Sequence, residues 1–232
     1  MHNLVPPFII ENLRQGRLTG SFAGAALFVD ISGFTRVTET LMAHGQYGAE
    51  VLAVVMRAVF TPLVSGVYDQ GGFVTGFAGD AFTAVFPASD GRAAPELRAL
   101  AAAAQMQRDI AAGARQETRF GIFDFSAKIG MAGGDTTWGI VLAEKGRRAS
   151  YYFSGPTIDG CAAAEHHASA GEIVCTDPFW QGIRNQATSS TIDEYRRIDE
   201  IDDSLPEPVP ATVPQTDPDL LKRFAPGFLV ER

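Results

Sequence analysis

Hydrophobic and polar positions change period several times along this chain, and each change marks an element. Ala25–Val29 is an unbroken apolar run that ends at Asp30, the pattern of a buried strand. From Val37 to Phe60 the apolar residues fall at helical spacing, with Val51, Val54, Val55 and Phe60 on one face and Pro62 closing the segment. Val67–Phe77 and Ala81–Phe86 read as the two strands of a hairpin joined at Ala78-Gly79-Asp80. Pro95–Ala112 is Ala-rich and helical, ending at Gly113. Strand character returns at Phe120–Met131, Gly139–Leu142 and Ala149–Phe153. Pro156–Ala168 is helical with proline just inside its start, and Ile173–Cys175 is a short strand. The order β-α-β-β-α-β, with further C-terminal strand and helix elements, predicts an α+β fold. It is a ferredoxin-like sandwich with helices on one face of an antiparallel sheet.

One stretch breaks the alternation. Pro206–Pro218 reads P-E-P-V-P-A-T-V-P-Q-T-D-P, which holds neither a helix nor a sheet ladder and suits a semi-extended connector. Asp219–Phe224 beyond it is short and amphipathic. The predicted organisation is an N-terminal segment over residues 1–22, one domain over 23–200, and a Pro-rich connector and tail over 201–232.

Composition narrows the function classes. With 46% hydrophobic residues among 232, the chain can bury a core without staples. A net charge of -8 speaks against a duplex-DNA binder, which needs clustered Lys and Arg. Two cysteines make no disulfide framework, and with four scattered His they make no zinc site. The apolar stretch 49–60 is interrupted by Glu50 and Arg57 and looks too short and too charged to span a bilayer. The opening has no basic stretch followed by an apolar run. The expectation is a soluble cytoplasmic protein with no nucleic-acid or membrane partner.

Two acidic residues stand where strands end. Asp30 precedes Ile31-Ser32-Gly33-Phe34-Thr35, and Asp80 lies in a tight turn. In a β-α-β-β unit the first strand neighbours the hairpin, so the two carboxylates can converge. Paired carboxylates with a backbone carbonyl suit Mg²⁺ or Mn²⁺ bound together with substrate phosphates. The strand-to-helix turn at Gly33–Thr35 offers free N–H groups and a helix dipole to anionic phosphate. Taken singly, the first Asp also reads as a helix cap and the second as a turn residue.

Four segments carry a resemblance. Phe28–Thr35 and Gly71–Phe86 look like the two signature segments of class III nucleotidyl cyclases, and Lys128–Gly134 and Gly155–Glu165 fit the third and fourth. The resemblance covers roughly residues 23–178 and is strongest to the soluble, bicarbonate-responsive type of adenylyl cyclase and its bacterial relatives. It implies conversion of ATP (or GTP) to a cyclic nucleotide and pyrophosphate, at a site formed between two paired subdomains. It also implies Asp30 and Asp80 as metal ligands with the Ile31 carbonyl assisting, and the amides of Gly33, Phe34 and Thr35 as phosphate binders. Arg147 falls near a family position that contacts phosphate, and equally suits an exposed turn.

The departures are informative. Gly76 stands where the family has a base-selecting Lys, Asp159 where it has a ribose-orienting Asn, and Ala163 where it has a charge-stabilising Arg. Tyr152 takes the other base-discriminating position, and Ala162 replaces the Arg of the bicarbonate site. Cyclases of two unlike subdomains keep the Asp pair in the first and the Lys, Asn and Arg in the second. The pattern therefore implies the first subdomain of a two-part cyclase, with little or no activity alone and a complementary subdomain, or a homodimer in isolation, as partner. The alternative is a catalytically silent cyclase-like module for dimerisation or regulation. A phosphohydrolase with Asp30 as nucleophile is disfavoured, because Ser32 stands where its second Asp belongs. Gly133-Gly134-Asp135 matches the diguanylate cyclase turn only superficially, since Thr136 and Thr137 follow.

Overall fold

The computed structural model describes residues 5–89, 91–113, 115–209 and 218–225. In chain order the elements are α1 (Pro7–Arg14), β1 (Thr19–Ser32), α2 (Phe34–Met42), α3 (Gly45–Asp69), β2 (Phe73–Ala78), β3 (Ala81–Pro87), α4 (Pro95–Gly113), β4 (Arg115–Thr118), β5 (Gly121–Asp124) and β6 (Ser126–Ala143). A 3-10 turn at Glu144–Gly146 leads to β7 (Arg148–Ser154), α5 (Pro156–Glu165), β8 (Ile173–Cys175), α6 (Asp177–Ile183), β9 (Ala187–Ile192), β10 (Tyr195–Ile201) and α7 (Pro218–Lys222). Among the described residues eight strands form one sheet in the order β2-β3-β1-β6-β8-β10-β9, with β7 on the far half of β6. The first four reproduce the ferredoxin-like arrangement, and only the β6–β8 pairing is parallel. The α+β sandwich expected from the sequence is the observed fold.

Strand alternation sorts the core into two faces. Ala25, Leu27, Val29 and Ile31 of β1 point to one side, against Val55, Val59, Leu63 and Val67 of α3, Leu100 and Met106 of α4, and Phe179 and Ile183 of α6. Ala26 points to the other side, with Ala132 of β6 and Cys161 of α5. Helices therefore cover both faces, a correction to the one-face expectation. The second face carries its own apolar set (Ala26, Phe73, Val85, Ala132), which has to be covered as the first does. α1 extends that cover: Phe8 lies 5.3 Å, ring to ring, from Phe22, Phe73 and Trp138. Leu220, Leu221 and Phe224 pack on the same cluster. Most of the predicted connector, residues 210–217, lies outside the described residues.

The segment read as one helix over 37–60 is two. Gly45, at φ +60°, sits at the junction, and α3 then runs 25 residues through Pro62 to Asp69. By length and composition α3 could cross a bilayer, with a mean hydropathy of 1.8. That corrects the expectation of too short an apolar stretch. Its residues at every fourth position, Val55 to Val67, are nevertheless part of the core.

Candidate functional site

The end of β1 is held between two neighbours. Asp30 stands opposite Ala81 of β3 on one side and Lys128 of β6 on the other. Gly79, at φ +66°, turns the hairpin so that Asp80 immediately precedes Ala81. The Ile31 N–H donates to the Asp80 carbonyl at 3.4 Å. Asp30 and Asp80 thus belong to adjacent rungs of the ladder, both partly exposed. In a strand a residue's N–H and C=O point to the same side, so the Ile31 carbonyl also points towards the Asp80 turn. The structure brings together at the backbone the three residues expected to hold a cation.

The turn that follows is equally constrained. Gly33 adopts φ +106°, and a Cβ there would lie 2.4 Å from the Asp124 carbonyl oxygen, so only glycine fits. Phe34 begins α2 with its ring buried against Phe60 and Phe125, which fixes the direction of the helix start. Its side chain belongs to the core; what it offers a ligand is its amide. The amides of Phe34 and Thr35 belong to the first turn, where N–H groups have no partner within the helix.

On the same face as Asp30 the structure adds two residues that the sequence reading did not single out. Lys128 Nζ lies 3.2 Å from Asp30 Oδ2 and 2.5 Å from Glu165 Oε1. Glu165, the last residue of α5, is only 4% exposed. Pairing with Glu165 and then with Asp30 holds the Lys128 ammonium above its ordinary range, against the opposing effect of its partial burial. Gly130 makes the contact possible. A Cβ on it would stand 2.1 Å from the Cys161 carbonyl oxygen and 2.3 Å from the Glu165 nitrogen. Two signals in the sequence pointed this way: a lysine within the apolar stretch Phe120–Met131, and a lone acid closing the Ala162-Ala163-Ala164 run.

Other expected residues lie elsewhere. Arg147 is exposed in the turn between β6 and β7, with its Nε facing the Glu144 carbonyl at 3.4 Å. From Lys128 to Ala143 β6 runs 15 residues, roughly 50 Å at about 3.3 Å per residue, so one chain does not bring Arg147 to Asp30. Gly76 lies exposed at a register shift in β2, with nothing within 4 Å of where a Cβ would be. Asp159 is exposed on the first turn of α5, and Ala163 follows one turn later.

Among the described residues no group of three or more His, Cys, Asp or Glu gathers to hold an ion. Two carboxylates and a carbonyl instead match a hard cation whose remaining ligands are water and substrate phosphate.

No protein-family model matches the chain. It is 27% identical over 172 residues to adenylate cyclase type 10 of Rattus norvegicus, covering 69% of this chain and 10% of that protein. The chain thus spans about a tenth of the length of the curated relatives it matches. Among solved structures it is similar to the adenylyl cyclase CyaB from P. aeruginosa, with a TM-score of 0.64 and 17% identity over 81% of this chain and 99% of that one. It is also similar to the guanylyl cyclase Cya2, with a TM-score of 0.64 and 20% identity over 81% and 96%. The guanylate cyclase domain of RhGC from Catenaria anguillulae, solved in complex with GTP, gives a TM-score of 0.63 at 16% identity over 78% and 99%. The chain has the fold of class III nucleotidyl cyclase catalytic domains and is similar in sequence to an adenylate cyclase.

Proposed function

We propose that this domain with a class III cyclase fold is the cation-binding first subdomain of a two-part nucleotidyl cyclase. It takes ATP to cyclic AMP and pyrophosphate in intracellular signalling. The observation that carries the reading is the backbone junction of Asp30, Ile31 and Asp80, next to the glycine-opened start of α2. Asp30, Asp80 and the Ile31 carbonyl would hold Mg²⁺ or Mn²⁺. When bound, the ion neutralises the triphosphate and makes the ribose 3′-hydroxyl a better nucleophile. The amides of Gly33, Phe34 and Thr35 take the phosphate oxygens, helped by the helix dipole. Lys128 neutralises Asp30 while no cation is present. The 3′-hydroxyl gives its proton to water, its oxygen attacks the α-phosphorus, the bond from that phosphorus to the oxygen bridging to the β-phosphate breaks, and pyrophosphate leaves.

Base selection, ribose orientation and charge stabilisation need groups that Gly76, Asp159 and Ala163 cannot supply, so a second subdomain provides them. ATP is favoured over GTP by the likeness to an adenylate cyclase. The test is cyclic nucleotide formation from Mn²⁺-ATP by the chain alone and after addition of a cyclase subdomain that carries the Lys, Asn and Arg. The reading expects negligible turnover alone and a clear gain on mixing, abolished by Asp30→Asn. No gain with any such partner supports the silent module instead. One feature favours that second reading: with Lys128 on Asp30, the acidic pair is tolerable without any metal.

A further inference from the structure

We propose that Glu165 is a positioning residue of this site, which carries the charge of Lys128 so that Asp30 can bind a cation. The inference rests on the reading that Asp30 is a cation ligand and adds a role for a residue outside the ligand set. Lys128 is shared: its Nζ lies 3.2 Å from Asp30 Oδ2 and 2.5 Å from Glu165 Oε1. An ammonium on Asp30 competes with a divalent ion for the same carboxylate. A lysine that had Asp30 as its only partner would hold that carboxylate and resist the ion. Glu165 changes the competition, because a second carboxylate already lies on the far side of the ammonium and lets Lys128 keep a partner when it leaves Asp30.

The location of Glu165 makes this a built arrangement. It is 4% exposed, at the end of α5, and the helix is set onto β6 by the close approach at Gly130. A carboxylate so buried needs its cation whether or not Asp30 is engaged. Lys128, opposite Asp30 in register, is fixed at its backbone by the β1–β6 ladder. The ammonium therefore has two stations, shared between the acids or wholly on Glu165, and occupancy of Asp30 selects between them. Outer residues that orient or compete for a ligand commonly change metal affinity ten- to a hundredfold.

The experiment is Mn²⁺ titration of the full chain, followed by the free-ion electron paramagnetic resonance signal. The variants are Asp30→Asn, Glu165→Gln, Lys128→Met and the double variant Lys128→Met/Glu165→Gln, each checked for folding by circular dichroism. The expected result is binding lost in Asp30→Asn and weakened on the order of tenfold in Glu165→Gln. Lys128→Met should bind at least as tightly as the parent, and the double variant should show no weakening relative to Lys128→Met. Parent-like affinity in Glu165→Gln overturns the inference and leaves Asp30 as a cation ligand. So does a Glu165→Gln loss that persists without Lys128. If Glu165→Gln does not fold, the double variant, which removes both charges together, decides: binding weaker than the parent overturns the inference. Absence of any Mn²⁺ binding that depends on Asp30 overturns the functional reading and this inference with it.

Discussion

Gly130→Ala is the smallest change that should separate α5 from the sheet. A Cβ at Gly130 would stand 2.1 Å from the Cys161 carbonyl oxygen and 2.3 Å from the Glu165 nitrogen, both backbone atoms that cannot rotate away. Ordinary contact needs at least about 3.4 Å, so α5 must retreat by about an ångström or distort. Inserting a methyl group into a packed interface of this kind costs about 1–3 kcal/mol, and here the clash is with backbone, which puts it at the upper end. At about 2–4 °C per kcal/mol for a chain of this size, the thermal midpoint should fall by roughly 6–12 °C. The matched control is Gly66→Ala in the last turn of α3, where a Cβ meets nothing within 4 Å. That change should be neutral or stabilise by up to about 1 kcal/mol through helix propensity. Circular dichroism melts of the three proteins decide the matter. A Gly130→Ala midpoint within about 1 °C of the parent would mean that α5 does not sit this close to β6, and the Lys128–Glu165 contact would lose its basis.

Other outcomes follow from the buried groups. Arg98, 3% exposed, donates to the carbonyls of Ala93, Gln70, Gly71 and Pro87, so Arg98→Met should cost at least about 3 kcal/mol by urea unfolding; a loss below about 1 kcal/mol would refute the clasp. Phe8→Ala removes one ring from the Phe22, Phe73 and Trp138 cluster and should lower stability by about 2–4 kcal/mol, read as a shift in urea midpoint, with an unchanged midpoint counting against the docking of α1. Burial pushes the thiols of Cys161 and Cys175 from 9.0 up to about 12, so both should react slowly with a disulfide reagent at pH 8 until urea unfolds the chain. The unfolded chain releases those protons first, so the stability they contribute is complete below pH 9 and declines as pH rises towards 12. Lys128, raised above 10.5, acts in the same direction at higher pH. A urea midpoint that rises between pH 8.5 and 10.5 would contradict this.

How much of this was legible in the sequence depended on whether the physics was local. The β2–β3 hairpin, α4 and the start of α5 were readable because their turn residues and periods lie within a few positions of each other. Pro62 misled, because a proline stops a helix only when the lost hydrogen bond and the ring cannot be accommodated, and α3 continues seven residues past it. Val67–Gly72, read as the start of the hairpin's first strand, instead completes the last turn of α3 and the loop after it, and β2 begins only at Phe73. β9, β10 and α6, expected only as further C-terminal elements, could not be placed, because a largely polar strand such as Ala187–Ile192 becomes meaningful only once the sheet edge that it extends is known. In the site, Asp30, Asp80 and Gly33 were visible as strand ends and turns. Lys128 and Glu165 depended on register and on a helix crossing, which are long-range facts.

That last difference alters the meaning of the acidic pair. Two carboxylates brought near each other repel unless a cation lies between them. Lys128 removes part of that repulsion, since the ammonium already offsets Asp30, and it leaves Asp80 as the acid without an ammonium opposite it in register. The arrangement Asp30, Lys128, Glu165 is then two negative charges sharing one positive charge, with the more buried acid holding it more closely. Here the longer contact falls on Asp30, which is partly exposed and lies just before the turn at Gly33. This distribution suits the proposed release of Asp30 to an incoming cation, and under that proposal the ion pair is the resting arrangement, to be completed by the groups of a partner subdomain.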